Sequence, residues 1–292
     1  MGTNSIVVLP HEIPKSRAKI LYGEFKCAWD KTSSRDKKKW AVGSLKLFGK
    51  VTYRRGKGFA KAMYFLGKSV IKESTNLAGA IYHKEARTYL NDRRQKCSDF
   101  IANGAKSSRK MAGNLCSMIK SNPKEIGPLM FLGVLGFFMG AGMQVGEKTF
   151  YDIDGGIPDL DWKVGQFTDI DLLKHRSPFF HSIISAAVLE TMVFSSVNAV
   201  QIIHSKLPQN HDSFWDKIVS KTNWAEAFVT GACTGIAYHL LIDGTLDGGG
   251  HLSGLKSTFD FSMSQESHQT FFVTNSIAEA LDLKNKKINP GV

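Results

Sequence analysis

Three short clusters of carboxylates and imidazoles, each at the edge of an apolar stretch, are the residues of this chain best equipped for chemistry. The first runs Asp152-Ile153-Asp154-Gly155-Gly156-Ile157-Pro158-Asp159-Leu160-Asp161, two D-x-D pairs on a turn punctuated by Gly-Gly and Pro. Crowded carboxylates repel one another, and a bound cation relieves that repulsion; an ordinary acidic surface turn is the alternative. The second is His175-Arg176-Ser177-Pro178-Phe179-Phe180-His181-Ser182. Pro178 suits the first turn of a helix and Ser177 its N-cap, which would set His181 one turn into the helix and His175 in the loop before it. Both imidazoles could then face one site, with Arg176 available to an anion; a self-contained helix-start histidine is the alternative. In the third, His239 and Asp243 stand at i and i+4 among Leu240, Leu241 and Ile242. That spacing puts them on one helix face, where they either grip an ion or pair with each other, since neither is cheap to bury alone.

The order of these segments, PDLD, HRSPFFHS and G-x-x-x-HLLID-x-x-x-x-GG, resembles the YdjM-like family of predicted, often membrane-bound, metal-dependent hydrolases. That family pairs a P-D-x-D loop after an apolar helix with an H-R-G-x-T-H-S segment opening the next helix and an H-x-x-x-D pair near the end of a later one. The likeness covers residues 127–250. It implies a metal sphere drawn from Asp159, Asp161, His175, His181, His239 and Asp243, with Asp161 as a candidate general base and Arg176 stabilising charge in the transition state. Mixed imidazole and carboxylate ligands suit zinc, manganese or iron better than calcium, and six candidates leave room for one divalent ion or two. Asp152, Asp154 and Asp247 are further candidates, and Glu190, about two turns past His181, is expected to point toward the same place. His83, His204, His211, His251 and His268 are expected to stand apart, without a partner at ligand spacing.

The elements that must position these residues are helical. Residues 126–146 carry no charge, 182–204 are apolar except for Glu190, and 227–243 form a third such stretch. A glutamate within an apolar helix is costly in lipid unless protein covers it, so the expectation is a soluble or membrane-peripheral bundle in the cytoplasm rather than an integral membrane protein. A last helix is expected around 265–283. Before these stretches, residues 1–45 read as irregular, with the charged run Lys31 to Lys39 marking loops. Residues 47–120 read as helical, Phe59, Met63, Leu66 and Val70 forming one apolar stripe. Ser121-Asn122-Pro123 then breaks the chain. The fold class is therefore mainly α: a helical bundle with a metal site in loops at helix ends, divided into a basic helical region, 1–126, and a hydrolase-like domain, 127–292.

Charge separates the two halves. Residues 1–126 hold 27 Lys+Arg against 9 Asp+Glu, and the remainder 11 against 17. The whole chain of 292 residues carries +12, with 42% hydrophobic residues, figures that exclude a disordered chain or a disulfide-stapled miniprotein. Cys27, Cys97, Cys116 and Cys233 are scattered, which argues against a zinc ribbon or a C-x-x-C redox pair. A basic first half and Arg176 together favour an anionic substrate, a phosphoester of the phospholipid, nucleotide or nucleic-acid kind. Trp29, Trp40, Tyr53 and Phe59, interleaved with lysines, would serve either base stacking or an anionic membrane surface. The competing expectation is a non-enzymatic basic protein that binds nucleic acid or membrane, its metal site degenerate or structural.

Overall fold

A computed structural model describes residues 15–142, 156–160, 167, 179–245 and 265–285. It is a helical bundle, with no strand among the described residues. The helices are α1 (Lys15–Asp30), α2 (Ser34–Tyr82), α3 (Ala86–Ser121), α4 (Pro123–Ala141), α5 (Ile183–His204), α6 (Phe214–Ser220), α7 (Thr222–Thr245) and α8 (Gln265–Asn285).

Of the described residues that read as irregular, 15–30 and 34–45 are in fact helix, and 31–33, the start of the basic run, form the turn between α1 and α2. Ser33 caps α2, its Oγ accepting from the Asp36 amide at 3.1 Å and donating to the Asp36 carboxylate at 2.7 Å. With those amides satisfied, lysine and arginine, both good helix formers, open α2 instead of interrupting it. The 49 residues of α2 span roughly 73 Å at 1.5 Å per residue. Lys84, at φ 61, turns the chain into α3. Pro123 supplies the first residue of α4, where its missing N–H leaves nothing unsatisfied, and Gly142 ends that helix in the left-handed region at φ 74.

The start of α5 also differs from expectation. Its N-cap is Ser182, whose Oγ accepts from the Ile184 amide at 3.1 Å, and Asn275 Oδ1 of α8 accepts from the neighbouring Ile183 amide. His181 therefore lies just outside the helix, while Ser177 and Pro178 are outside the described residues. One serine satisfies an N-cap as well as another, so sequence alone does not choose between them.

Glycines decide how the core assembles. Gly136 and Gly140 of α4 face Phe228 and Ala232 of α7, and Gly231 and Gly235 of α7 face Gly133, Phe137 and Ala141 of α4, each leaving no room for a Cβ. Small residues at helical spacing let the two backbones touch. Helix α7 also packs on α8, and α2 packs on α5 and α8. Ala186, Val229, Cys233, Ile236, Leu240 and Phe272 form the buried centre.

α4, α5 and α7 are long and apolar enough to cross a membrane. Phe131, Val134, Phe138 and Met139 leave α4 with an exposed apolar face. Across the bundle, Trp29 packs edge-on against Trp40, whose indole N–H donates to the Ser195 carbonyl at 2.8 Å, and Phe59 packs against Phe271. Of the four aromatics that sequence offers for stacking on a partner, these three are engaged within the chain, and Tyr53 is exposed.

Candidate metal centre

The backbone contacts that bring α4 and α7 together also build the site. At the end of α4, the Met139 carbonyl accepts from the Ile157 amide at 2.9 Å. Gly156 lies so close to α4 that a Cβ would stand 2.7 Å from the Gly142 nitrogen. These two contacts hold the 156–160 segment, and Asp159 with it, against the helix end. Two residues after Met139, the Ala141 carbonyl accepts a hydrogen bond from His239 Nδ1 of α7 at 3.1 Å. His181 is wedged between the rings of His239 and Phe272, at centroid distances of 5.6 and 6.0 Å.

Four side chains from three separate stretches converge. His181 Nε2 lies 3.5 Å from Asp159 Oδ1 and 3.7 Å from Asp243 Oδ2. His239 Nε2 lies 3.8 Å from Asp159 Oδ2 and 3.3 Å from the same Asp243 oxygen. His181, His239 and Asp243 are buried, whereas the Asp159 side chain is 15% exposed, which makes it the side from which the cluster can be reached.

The donor set fits a divalent cation on four counts. A carbonyl oxygen only accepts, so His239 Nδ1 carries the proton and, in the neutral ring, Nε2 turns a lone pair toward the two carboxylates. Lone pairs facing carboxylates repel unless a positive charge stands between them. Asp243 Oδ2 is buried and, among the described residues, accepts no hydrogen bond, the condition of an atom whose proper partner is an ion. As metal ligands the two imidazoles would be neutral, and with two carboxylates the set would carry two negative charges, which a divalent ion would cancel. The spacing agrees: donors held at about 2.0–2.1 Å around a tetrahedral ion stand roughly 3.3–3.4 Å apart, near the observed 3.3 to 3.8 Å.

Asp159, His181, His239 and Asp243, expected from sequence to share a site, are thus brought together. Asp161, His175 and Arg176 lie outside the described residues, as do Asp152, Asp154 and Asp247. Glu190 does not join the cluster. It turns instead to α2, accepting from Arg54 Nη2 at 2.8 Å and Arg55 Nη2 at 2.6 Å. Arg55 also pairs with Glu279, and Arg54 clasps Asp282 at 2.6 and 2.9 Å. Burial is the largest single influence on the Arg55 pKa and lowers it, but Glu279, Cys233 and Glu190 together hold the guanidinium above its ordinary value. For Glu279 burial is the stronger influence, pushing its pKa up to about 7. Sequence gives little sign of this network, because adjacent arginines in a strongly basic segment look no different from solvated charge; the i and i+4 placement of Val51 and Arg55, both buried, is the one local hint of an inward face.

A second grouping, His204, His211 and Asp216, also went unrecognised, and the expectation that these histidines stand apart is corrected by it. His204 ends α5, His211 follows in a loop, and α6 carries Asp216, a spacing that no single helix face would reveal.

No family model matches the chain, and no curated protein or solved structure matches it either.

Proposed function

We propose that this protein is a membrane-associated, metal-dependent hydrolase of phosphoester-class anionic substrates. The observation that carries the reading is the convergence of Asp159, His181, His239 and Asp243 at donor separations of 3.3 to 3.8 Å. The order of motifs resembling the YdjM-like hydrolases supports the same reading.

In this proposal His181, His239 and Asp243 would hold zinc, manganese or iron, which would supply Lewis acidity toward a phosphoryl oxygen. The Ala141 carbonyl fixes the tautomer of His239 and the rotation of its ring. Asp159, the most accessible of the four, binds alongside them and orients an incoming water by accepting its hydrogen bond. Arg176 meets the charge that develops on the substrate, and Asp161 and His175 complete the sphere. The exposed apolar face of α4 supports association with a lipid bilayer, where Arg54 and Arg55 would keep Glu190 from lipid. Tyr53, Tyr64, Phe65 and Ile71, exposed on α2 beside Lys57, Lys61, Lys68 and Lys72, favour an anionic membrane surface as the partner of the basic region.

The test is hydrolysis of generic phosphodiesters and phospholipids by the full chain with added zinc, manganese or magnesium, alongside metal analysis of an Asp159→Asn, His239→Ala variant. Metal-dependent turnover lost in the variant is expected. Equal, negligible metal in both proteins with no turnover would overturn the reading in favour of a non-enzymatic basic protein.

A further inference from the structure

We infer that His204, His211 and Asp216 form a second divalent-cation site, of the zinc class, which fastens the end of α5 to α6 through the loop between them. His204 Nε2 and His211 Nε2 approach the same oxygen, Asp216 Oδ1, at 2.8 and 3.1 Å. The two rings lie 5.5 Å apart at 79°, so their nitrogens converge from different directions and do not stack. His211 Nδ1 donates to the Pro208 carbonyl at 2.7 Å, which commits its proton there and aims Nε2 at Asp216. The buried centre uses the same device, with Ala141 in place of Pro208.

Two imidazoles and one carboxylate select zinc over magnesium or calcium, which prefer oxygen. Side-chain exposures of 32% for His204 and 55% for Asp216 leave the ion a path from solvent and water to complete its coordination. On binding, the ion takes the place of protons that the imidazoles share with Asp216, and these pass to solvent.

The surroundings are already fixed. Glu24 of α1 accepts from the Asp212 amide at 3.0 Å and from the Trp215 indole at 2.7 Å, and Arg17 pairs with Asp212 through two contacts of 3.1 Å. These contacts hold the loop and α6 against α1, so the ligands need little further ordering. Because α5 also begins beside His181, the ion would brace the far end of a helix that adjoins the buried centre.

Zinc alone, titrated calorimetrically into the full chain, provides the test. Wild type is expected to bind one more ion per chain than a His204→Gln, His211→Gln variant. An Asp159→Asn, His239→Ala variant should retain the ion that the first variant loses. Equal stoichiometry and affinity in wild type and the His204→Gln, His211→Gln variant would overturn the inference. Circular dichroism establishes that each variant is folded; if the buried-site variant is not, the other comparison decides alone. The two variants remove different ions, so failure here leaves the hydrolase reading standing, and the reverse also holds.

Discussion

Gly235 of α7 meets Ala141 of α4 so closely that a Cβ on the glycine would stand 2.6 Å from the Ala141 nitrogen. One turn later on α7, His239 reaches the carbonyl oxygen of that same alanine. Helix packing and ligand orientation are therefore one feature. Gly235→Ala should push α4 away, costing about 1–3 kcal/mol as an overpacked core, and should also loosen His239. Denaturation curves and metal titration of the same variant are expected to fall together. A large stability loss with unchanged metal affinity would separate the two.

Asp243→Asn keeps the shape of the side chain but removes a charge from the buried cluster. Metal affinity should drop at least about tenfold, since losing even an outer partner of a ligand costs that much. Chelation of the wild type should abolish phosphodiester turnover, and added zinc or manganese should restore it. Turnover that persists in excess chelator would refute this prediction.

Arg55 is 1% exposed and touches both Glu190 and Glu279. Arg55→Met should destabilise the fold by about 3–5 kcal/mol, the usual penalty for leaving buried charge without its partner. Combining it with Glu279→Leu should recover part of the loss, as chemical denaturation would reveal.

Among the described residues, three carboxylates, Glu190, Glu279 and Asp282, face two guanidiniums, an excess of one negative charge. The folded protein keeps a proton on Glu279 up to about pH 7, whereas the ordinary glutamate value is 4.5. The stability this proton brings is whole below pH 4.5 and is lost as pH rises through 7. Glu279→Gln should flatten the decline in melting temperature between those values. An identical slope in wild type and variant would assign the titration elsewhere.

Much of the bundle and part of its centre are legible in the sequence, and the failures have physical causes. The apolar stretches that became α4, α5 and α7 stand out because their composition leaves no alternative to burial or lipid. His239 and Asp243 could be paired because one helix fixes their geometry, while Asp159 and His181 required motif order to join them. Trp40 reads as available to a partner, and Arg55 is not singled out at all, because side-chain type does not say which face of a long helix is covered. α2 is polar on average, yet its Val51, Arg55 and Ala62 are buried. The pairing of His204 with His211 depends on a loop whose path only the folded chain provides.

The arginines at the heart of α2 bear on any attempt to divide this molecule. A chain begun at residue 127 would carry Glu190, Glu279 and Asp282 into its interior with neither Arg54 nor Arg55 to answer them. Such a fragment would have to take up protons or open to water. The lysine-rich leading segment, so easily mistaken for an appendage, thus furnishes the counterions on which the rest of the bundle relies.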